Sequence, residues 1–532
     1  MPYHFGMIRH FFIGITLIIG AFGCQKAPKE AHQQSISINF SYSPFSLDPR
    51  KCTDPVTTTL NFMVYEGLTR LEPDGTISLG LAKEITISND KKTYLFHLKD
   101  VMWSDGSPLT AYHFEAAWKK ALSAEFPSKS ANLLFPIKNA ENAKTGKCSL
   151  DEIGVRSIDE KTLEVVLNRP TPYFLELTSF CTYFPVPFNG DEVPHPNQGA
   201  APLSCGPFQI SSWKSDNEII VTKNPYYWNV NHVFLDEIKM SMISDENTAL
   251  NLFEKGKLDL VGGLISTLPI DALSTLKEKN MIKQRPIAGT TFCAFNVQKY
   301  PFNNVNIRKA FALAVDREKI TENLFQQFDD VATGPVPLVL KQSVSTFFLD
   351  HQKTLAKQYF EKGLEELGIS KEEFPKITYH YFTSELHKNL ALTLQNYWKE
   401  ALDIDVAVQA QEFKTHLSKL YSREFTFAQM SWVGQYHDPM SFLERFDGKD
   451  SFRNYSGWEN PYYSELLSAS YYASKKGREH LLEEAESLLM DEMPIIPLYH
   501  FHVVYVKNPK LRNVSISAIG DMQFHKAYLS TN

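Results

Sequence analysis

The side chains best equipped for chemistry gather in one stretch, Phe427-Ala428-Gln429-Met430-Ser431-Trp432-Val433-Gly434-Gln435-Tyr436-His437-Asp438-Pro439. Amide, indole, phenol, imidazole and carboxylate groups stand side by side there. An apolar start broken by Gly and Pro reads as a strand running into a loop, and loops at strand ends are where binding groups collect. Such groups hydrogen-bond to a ligand or stack on it. The plain alternative is an ordinary turn after a core strand.

Other pairings carry less. Asp329-Asp330 and Glu483-Glu484 are adjacent, whereas the acids of a glycosidase flank a bond from opposite sides, so these read as solvated charges. His500-Phe501-His502 places two imidazoles on one strand face, a pair able to hold a metal only with a third ligand; edge polarity is the simpler reading. GxSxG, HExxH, GxGxxG and GxxxxGK[ST] are all absent, which leaves lipase, zincin, dinucleotide and P-loop chemistry without a signal. The expectation is binding without catalysis, and no metal or cofactor.

At 532 residues the chain is too long for one core, and two or three domains are expected. A net charge of -7 without long single-sign blocks gives no footprint for nucleic acid. Residues 1–10 carry Arg9 as their only Lys or Arg, 11–22 are uncharged and apolar, and Ala21-Phe22-Gly23 leads to Cys24. That apolar run is too short to cross ~30 Å of hydrocarbon as a permanent helix, so residues 1–23 read as a signal peptide. The cysteine placement resembles a bacterial lipobox, with Ala21 and Phe22 departing from its usual residues. Cys24 is then the lipidated first residue and 24–35 a polar tether; plain secretion is the alternative. Cys52, Cys148, Cys181, Cys205 and Cys293 remain, an odd set that leaves at least one free thiol and contains no CxxC.

Several elements must position these groups. Residues 36–40 alternate as a half-buried strand does, and 60–68 read as a helix stopped at Gly67. Ala82–Ile87 and 93–99 are strands around an Asn89-Asp90 turn, with Tyr94, Phe96 and Leu98 on one face. Thr110 caps a helix whose Phe114, Ala117, Trp118, Ala121 and Leu122 follow helical spacing. Residues 305–318 give a helix with Ile307, Ala310, Phe311, Ala314 and Val315 on its apolar face. A helix end, a Gly stop and a strand follow one another in 252–260. A helix over 478–493 feeds a strand at 495–499, again the step of an α/β lobe.

The stretch TYLFHLKDVMWSDGSPLTAYHFEAAWKKAL, within 82–122, resembles the signature region of the bacterial extracellular solute-binding proteins of family 5. That family includes oligopeptide-, dipeptide- and nickel-binding lipoproteins of ABC importers, and the oligopeptide binders are most similar. Further blocks follow in the family's order: Leu47-Asp48-Pro49, Tyr65-Glu66-Gly67-Leu68, Cys205-Gly206-Pro207-Phe208 and Lys223-Asn224-Pro225-Tyr226-Tyr227-Trp228. Phe295-Asn296-Val297, Pro301-Phe302, Arg308, Ala310, Asp316 and Arg317 come next, and ESLLMDEMPIIPLY at 486–499 closes the series.

The resemblance implies an α/β fold of two lobes closing on a ligand like periplasmic binding proteins, with an additional inserted domain and a hinge between the lobes. Lobe I would comprise 36–65, 197–292 and 498–532, the inserted domain 66–196 with Trp103 and Trp118 in its core, and lobe II 293–497. Cys205 and Cys293 fall near the lobe boundaries. The implied partners are short peptides, an ABC permease with its ATPase subunits, and a membrane through the N-terminal lipid. The chain would be exported to the periplasm or cell surface as a monomer. The lining expected is Trp432, Gln435, Tyr436 and Asp438 with Gln429 behind them, Thr53 and Asp54 from the N-terminal loop, and Ser128, opening 128–132, from the inserted domain. Relatives carry an Asp three residues after the Trp, which pairs with the peptide α-ammonium, and the oligopeptide binder an Arg three residues before it; here the positions hold Gln435 and Gln429. Neutral amides replace ion pairs there, a weakening of roughly twofold per contact. Asp438 or Asp54 is then the expected acid, or the ligand is a single small solute: glutathione, a dipeptide or a nickel chelate. An exported hydrolase or an adhesin are the alternatives from other classes.

Overall fold

A computed structural model describes residues 34–187, 193, 202–324, 328–341, 345–451 and 453–531. The expected signal peptide, Cys24 and nearly all of the tether lie outside these residues, and the described chain opens into the strand Ser35–Phe40.

One mixed sheet of 11 strands runs through the molecule. Its order is Val406–Gln411, Ile377–Phe382, Phe427–Val433, Ile282–Phe295, Ile495–Lys507, Leu260–Gly262, Ser35–Phe40, Glu237–Met242, Glu218–Lys223 and Phe208–Lys214; Asp330–Val331 pairs off this path with Ile495–Lys507. The two longest strands belong to both halves. Residues 289–295 of the first pair with Phe427–Val433, while residues 505–507 of the second pair with Leu260–Gly262. Between those stretches the long strands pair with each other, and their register breaks between Pro286 and Thr290. Pro286 has no N–H to give to the ladder and Gly289 no side chain to pack, so the sheet is weakest where it passes from one half to the other. A Cβ on Gly289 would stand 2.2 Å from the Phe501 ring, so a larger residue would force the strands apart. The crossings expected at 292/293 and 497/498 fall inside these same strands, beside a second register break between Thr291 and Phe292.

A separate antiparallel sheet, in the order Ala82–Ile87, Thr93–Leu98, Thr162–Val166, Val155–Asp159, forms in the segment after residue 66. The helix Ala111–Ala121 lies on it, burying Phe114, Ala117, Trp118 and Ala121 as their spacing requires. Trp118 donates to the Tyr183 carbonyl at 2.9 Å, which satisfies its buried indole N–H. In the C-terminal half, Trp398 and Phe311 pack their rings on Phe427 of the sheet with centroids 5.1 and 5.8 Å away, and Trp398 donates to the Phe311 carbonyl, tying two helices to the sheet and to each other.

Three elements differ from the sequence reading. The helix expected at 60–68 is Pro55–Val64, because the Asp54 carboxylate accepts the Thr57 N–H and Pro55 pre-sets the first turn; it ends before Gly67. The helix expected at 305–318 is two, Val305–Leu313 and Arg317–Leu324. There the fully buried Arg317 guanidinium takes the carbonyls of Ala312 and Pro497 and the Asp350 carboxylate, while Asp316 accepts the Lys319 N–H and starts the second helix. The strand expected at 495–499 runs on to Lys507, since its far half is the second crossing strand. All five cysteines from Cys52 onward are free thiols.

Candidate ligand-binding site

The strand Phe427–Val433 hands over to Gly434, whose N–H donates to the Ala288 carbonyl in the crossing strand at 2.7 Å. The next residues are pinned one by one. Gln435 donates its N–H to Ser441 Oγ at 2.9 Å, and Trp432 its indole N–H to the Ser441 carbonyl at 3.0 Å. The Arg445 guanidinium lies 3.8 Å over the Trp432 ring. Asp438 accepts the Met440 N–H at 2.8 Å and holds Arg478 with both oxygens, at 2.8 and 2.9 Å. A loop anchored in this way presents the Gln435 side chain, Tyr436 and His437 in fixed positions.

They face residues of the segment that carries the four-stranded sheet. Tyr436 stacks on Tyr173 with centroids 4.4 Å apart and planes 11° apart. Asn132 donates to Gln435 Oε1 at 3.3 Å, and Arg169 donates to the Tyr471 hydroxyl at 3.1 Å. His437 presses on Gly75, whose φ of +83° favours glycine and where a Cβ would lie 2.5 Å from the imidazole.

Two cavities border this seam. The larger, about 1110 Å³, opens between 87–91 and 170–176 on one side and 437–439 and 471–486 on the other. It slightly exceeds the roughly 300–1,000 Å³ usual for ligand sites. Behind it lies a pocket of about 10 Å³, room for about one water molecule. Gln435, Tyr436, Glu176, Phe180, Phe62 and Asp521 are among its walls, and Glu176 and His437 line both spaces.

Two buried acids of the cleft are neutralised by a neighbouring cation, Asp438 by Arg478 and Glu486 by Lys341 at 2.7 Å. Two further buried carboxylates have no such cation. Glu176 Oε2 is buried without a hydrogen-bond partner, and burial, aided by the Asp438 charge, pushes this acid up to about 9 against the pull of Arg478. Asp521 is 8% exposed, and burial alone raises it to about 7. Among the described residues neither forms an ion pair. Burial also pushes the phenols of Tyr173 and Tyr436 well up, so both stay neutral.

The residues named from sequence divide into three groups. Gln435 and Tyr436 line the inner pocket and Asp438 the outer cleft, although Arg478 already neutralises Asp438. Trp432 and Gln429 stand behind the loop. Gln429 is fully buried, its carbonyl accepts from His416 Nε2 at 2.8 Å, and its amide has no partner among the described residues. Thr53, Asp54 and Ser128 line neither space. Thr53 is exposed, Asp54 caps a helix and accepts the Tyr42 hydroxyl at 3.1 Å, and Ser128 donates to the Arg50 carbonyl at 2.6 Å. His500 is buried against Thr290 at 2.9 Å, and no group of three metal-ligating side chains occurs among the described residues. Glu176, Phe180 and Asp521 escaped the sequence reading. Only the Gly520-Asp521 turn between Ser515–Ile516 and Met522–Gln523 leaves a trace, and it marks a hairpin, not a site.

The family profile described as bacterial extracellular solute-binding proteins, family 5 Middle, matches residues 76–454. The chain belongs to this family. A family 5 relative, the oligopeptide-binding protein OppA of Bacillus subtilis, is 39% identical over 96% of this chain and 97% of its own length. Among family 5-like solved structures, the murein tripeptide-binding protein MppA of Escherichia coli is 26% identical with a TM-score of 0.79, covering 94% of this chain and 99% of its own. Listeria monocytogenes OppA bound to peptide is 26% identical with a TM-score of 0.75, covering 94% and 100%. The fold is thus that of family 5 solute-binding proteins, which have two lobes and an extra domain.

Proposed function

We propose that this protein is the substrate-binding component of an ABC importer, capturing short peptides between its lobes and delivering them to a membrane permease. The observation that carries the reading is the cleft of about 1110 Å³, walled by the inserted domain and the C-terminal lobe, beside a loop fixed by hydrogen bonds to the crossing strand. An extended peptide offers N–H and C=O groups that cleft walls can pair, and leaving one unpaired on burial costs on the order of 1–3 kcal/mol. The broken register at residues 286–290 supplies the hinge. Closing the lobes stacks Tyr173 on Tyr436 and joins Asn132 to Gln435, so peptide adds its contacts to the closed state and shifts the equilibrium toward it.

In this reading Gln435 and Tyr436 touch the ligand, Trp432 and Asp438 hold the loop, and the protein does no catalysis. Export with a lipid on Cys24, action as a monomer and docking of the closed form on the permease complete the assignment. Small-angle scattering with and without a tripeptide tests it: a smaller radius of gyration on loading is expected. An unchanged curve despite binding, or hydrolysis of the peptide, contradicts it.

A further inference from the structure

The inner pocket is lined by two carboxylates that form no ion pair among the described residues. Asp521 is 8% exposed and lines the pocket at the tip of the hairpin Ser515–Ile516 and Met522–Gln523. Its backbone is fully engaged, since Asp521 N–H donates to Ser517 Oγ at 3.1 Å and its carbonyl accepts the Ser517 N–H at 3.0 Å. Its carboxylate has no hydrogen-bond or ion-pair partner among the described residues. Glu176 reaches the same pocket with Oε2 buried and unpaired, its carboxyl met only by the His437 backbone N–H and the more distant Arg478 charge, and also borders the outer cleft. Buried carboxylates without a counter-ion are expensive, and a fold that keeps two at one pocket leaves room for an outside cation. The space, about 10 Å³, suits a group the size of one water molecule. A primary ammonium has that size. Gln435 Oε1, on the third side, adds a neutral acceptor.

Building on the peptide-binding reading, we infer that Asp521 and Glu176 are the counter-ions of a ligand ammonium group, with Gln435 as its neutral third contact. Recognition of positive charge therefore comes from the hairpin and the inserted domain, and the loop 434–438 supplies shape. The ammonium has two sources, a peptide N-terminus or a lysine-type side chain.

Titration calorimetry on the full exported protein with trialanine, N-acetyl-trialanine and N-acetyl-Ala-Ala-Lys separates them. Wild type should bind at least one free-amine peptide roughly 10- to 100-fold more tightly than N-acetyl-trialanine. If N-acetyl-Ala-Ala-Lys keeps the advantage, the side chain is the source; if only trialanine has it, the N-terminus is. Asp521→Asn, and to a similar degree Glu176→Gln, should erase most of that advantage while leaving N-acetyl-trialanine within about threefold of its wild-type affinity. That last value also reports that the variants are folded. Equal binding of free and blocked peptides by wild type, or an advantage that survives both substitutions, overturns the inference while leaving peptide binding intact. Binding of none of the three, and of no member of a mixed library of tri- to pentapeptides, removes both readings together.

Discussion

Replacing Asp521 by Asn should stabilise the ligand-free protein at neutral and alkaline pH. The hairpin does not need the carboxylate, since its hydrogen bonds run through the Asp521 backbone and Ser517. Burial raises the acid from 3.8 to about 7, so between those values the folded protein keeps a proton that the unfolded chain has released. Stability therefore falls as pH rises through that window, and the penalty is complete above about 7. A shift of about three units corresponds to a loss on the order of 4 kcal/mol. The variant has no such proton to lose. Urea unfolding of both proteins from pH 4 to 8 gives the difference directly, other titrating groups cancelling between them. The stability of Asp521→Asn relative to wild type should climb across pH 4–7 by an amount of that order and then level off. Parallel curves would refute the claim that Asp521 is buried without a partner.

Three more outcomes follow from the seam and the thiols. Arg478→Ala strands a nearly buried Asp438 carboxylate and should cost about 3–5 kcal/mol in urea unfolding, with Arg478→Met/Asp438→Leu recovering much of it. Tyr173→Ala removes the stack on Tyr436, worth about 0.5–1.5 kcal/mol beyond area, and should leave the free protein more expanded in small-angle scattering; an unchanged curve means the stack does not hold the lobes together. In a Cys24→Ser background, Cys148, the partly exposed thiol among five, should react first with a disulfide reagent, and Cys52, Cys181, Cys205 and Cys293 only on unfolding.

How much of this could be read from residues alone depends on how local the cause is. The helix Ala111–Ala121 was legible because its apolar positions recur with the helical period, and the strand-to-loop change at Gly434 because Gly and Pro punctuate it. The start of the helix Pro55–Val64 is a local signal of another kind, a capping Asp54 before Pro55, which apolar spacing alone does not report. The break before Arg317 is not legible in its own segment, because its cause is a buried guanidinium reaching Asp350 and Pro497, both far along the chain. The site divides in the same way. Gln435 and Tyr436 belong to one conspicuous segment, whereas Glu176 and Asp521 are 345 residues apart and acquire meaning only when the inserted domain and the C-terminal hairpin close on one pocket.

Peptide capture is tested most directly by native mass spectrometry of the protein purified from cells. A ladder of co-purified masses matching peptides of two to five residues, lost on gentle denaturation, is the predicted result. A spectrum with no adduct that stays bare after a mixed peptide library is added, or with one discrete non-peptide solute, would contradict it.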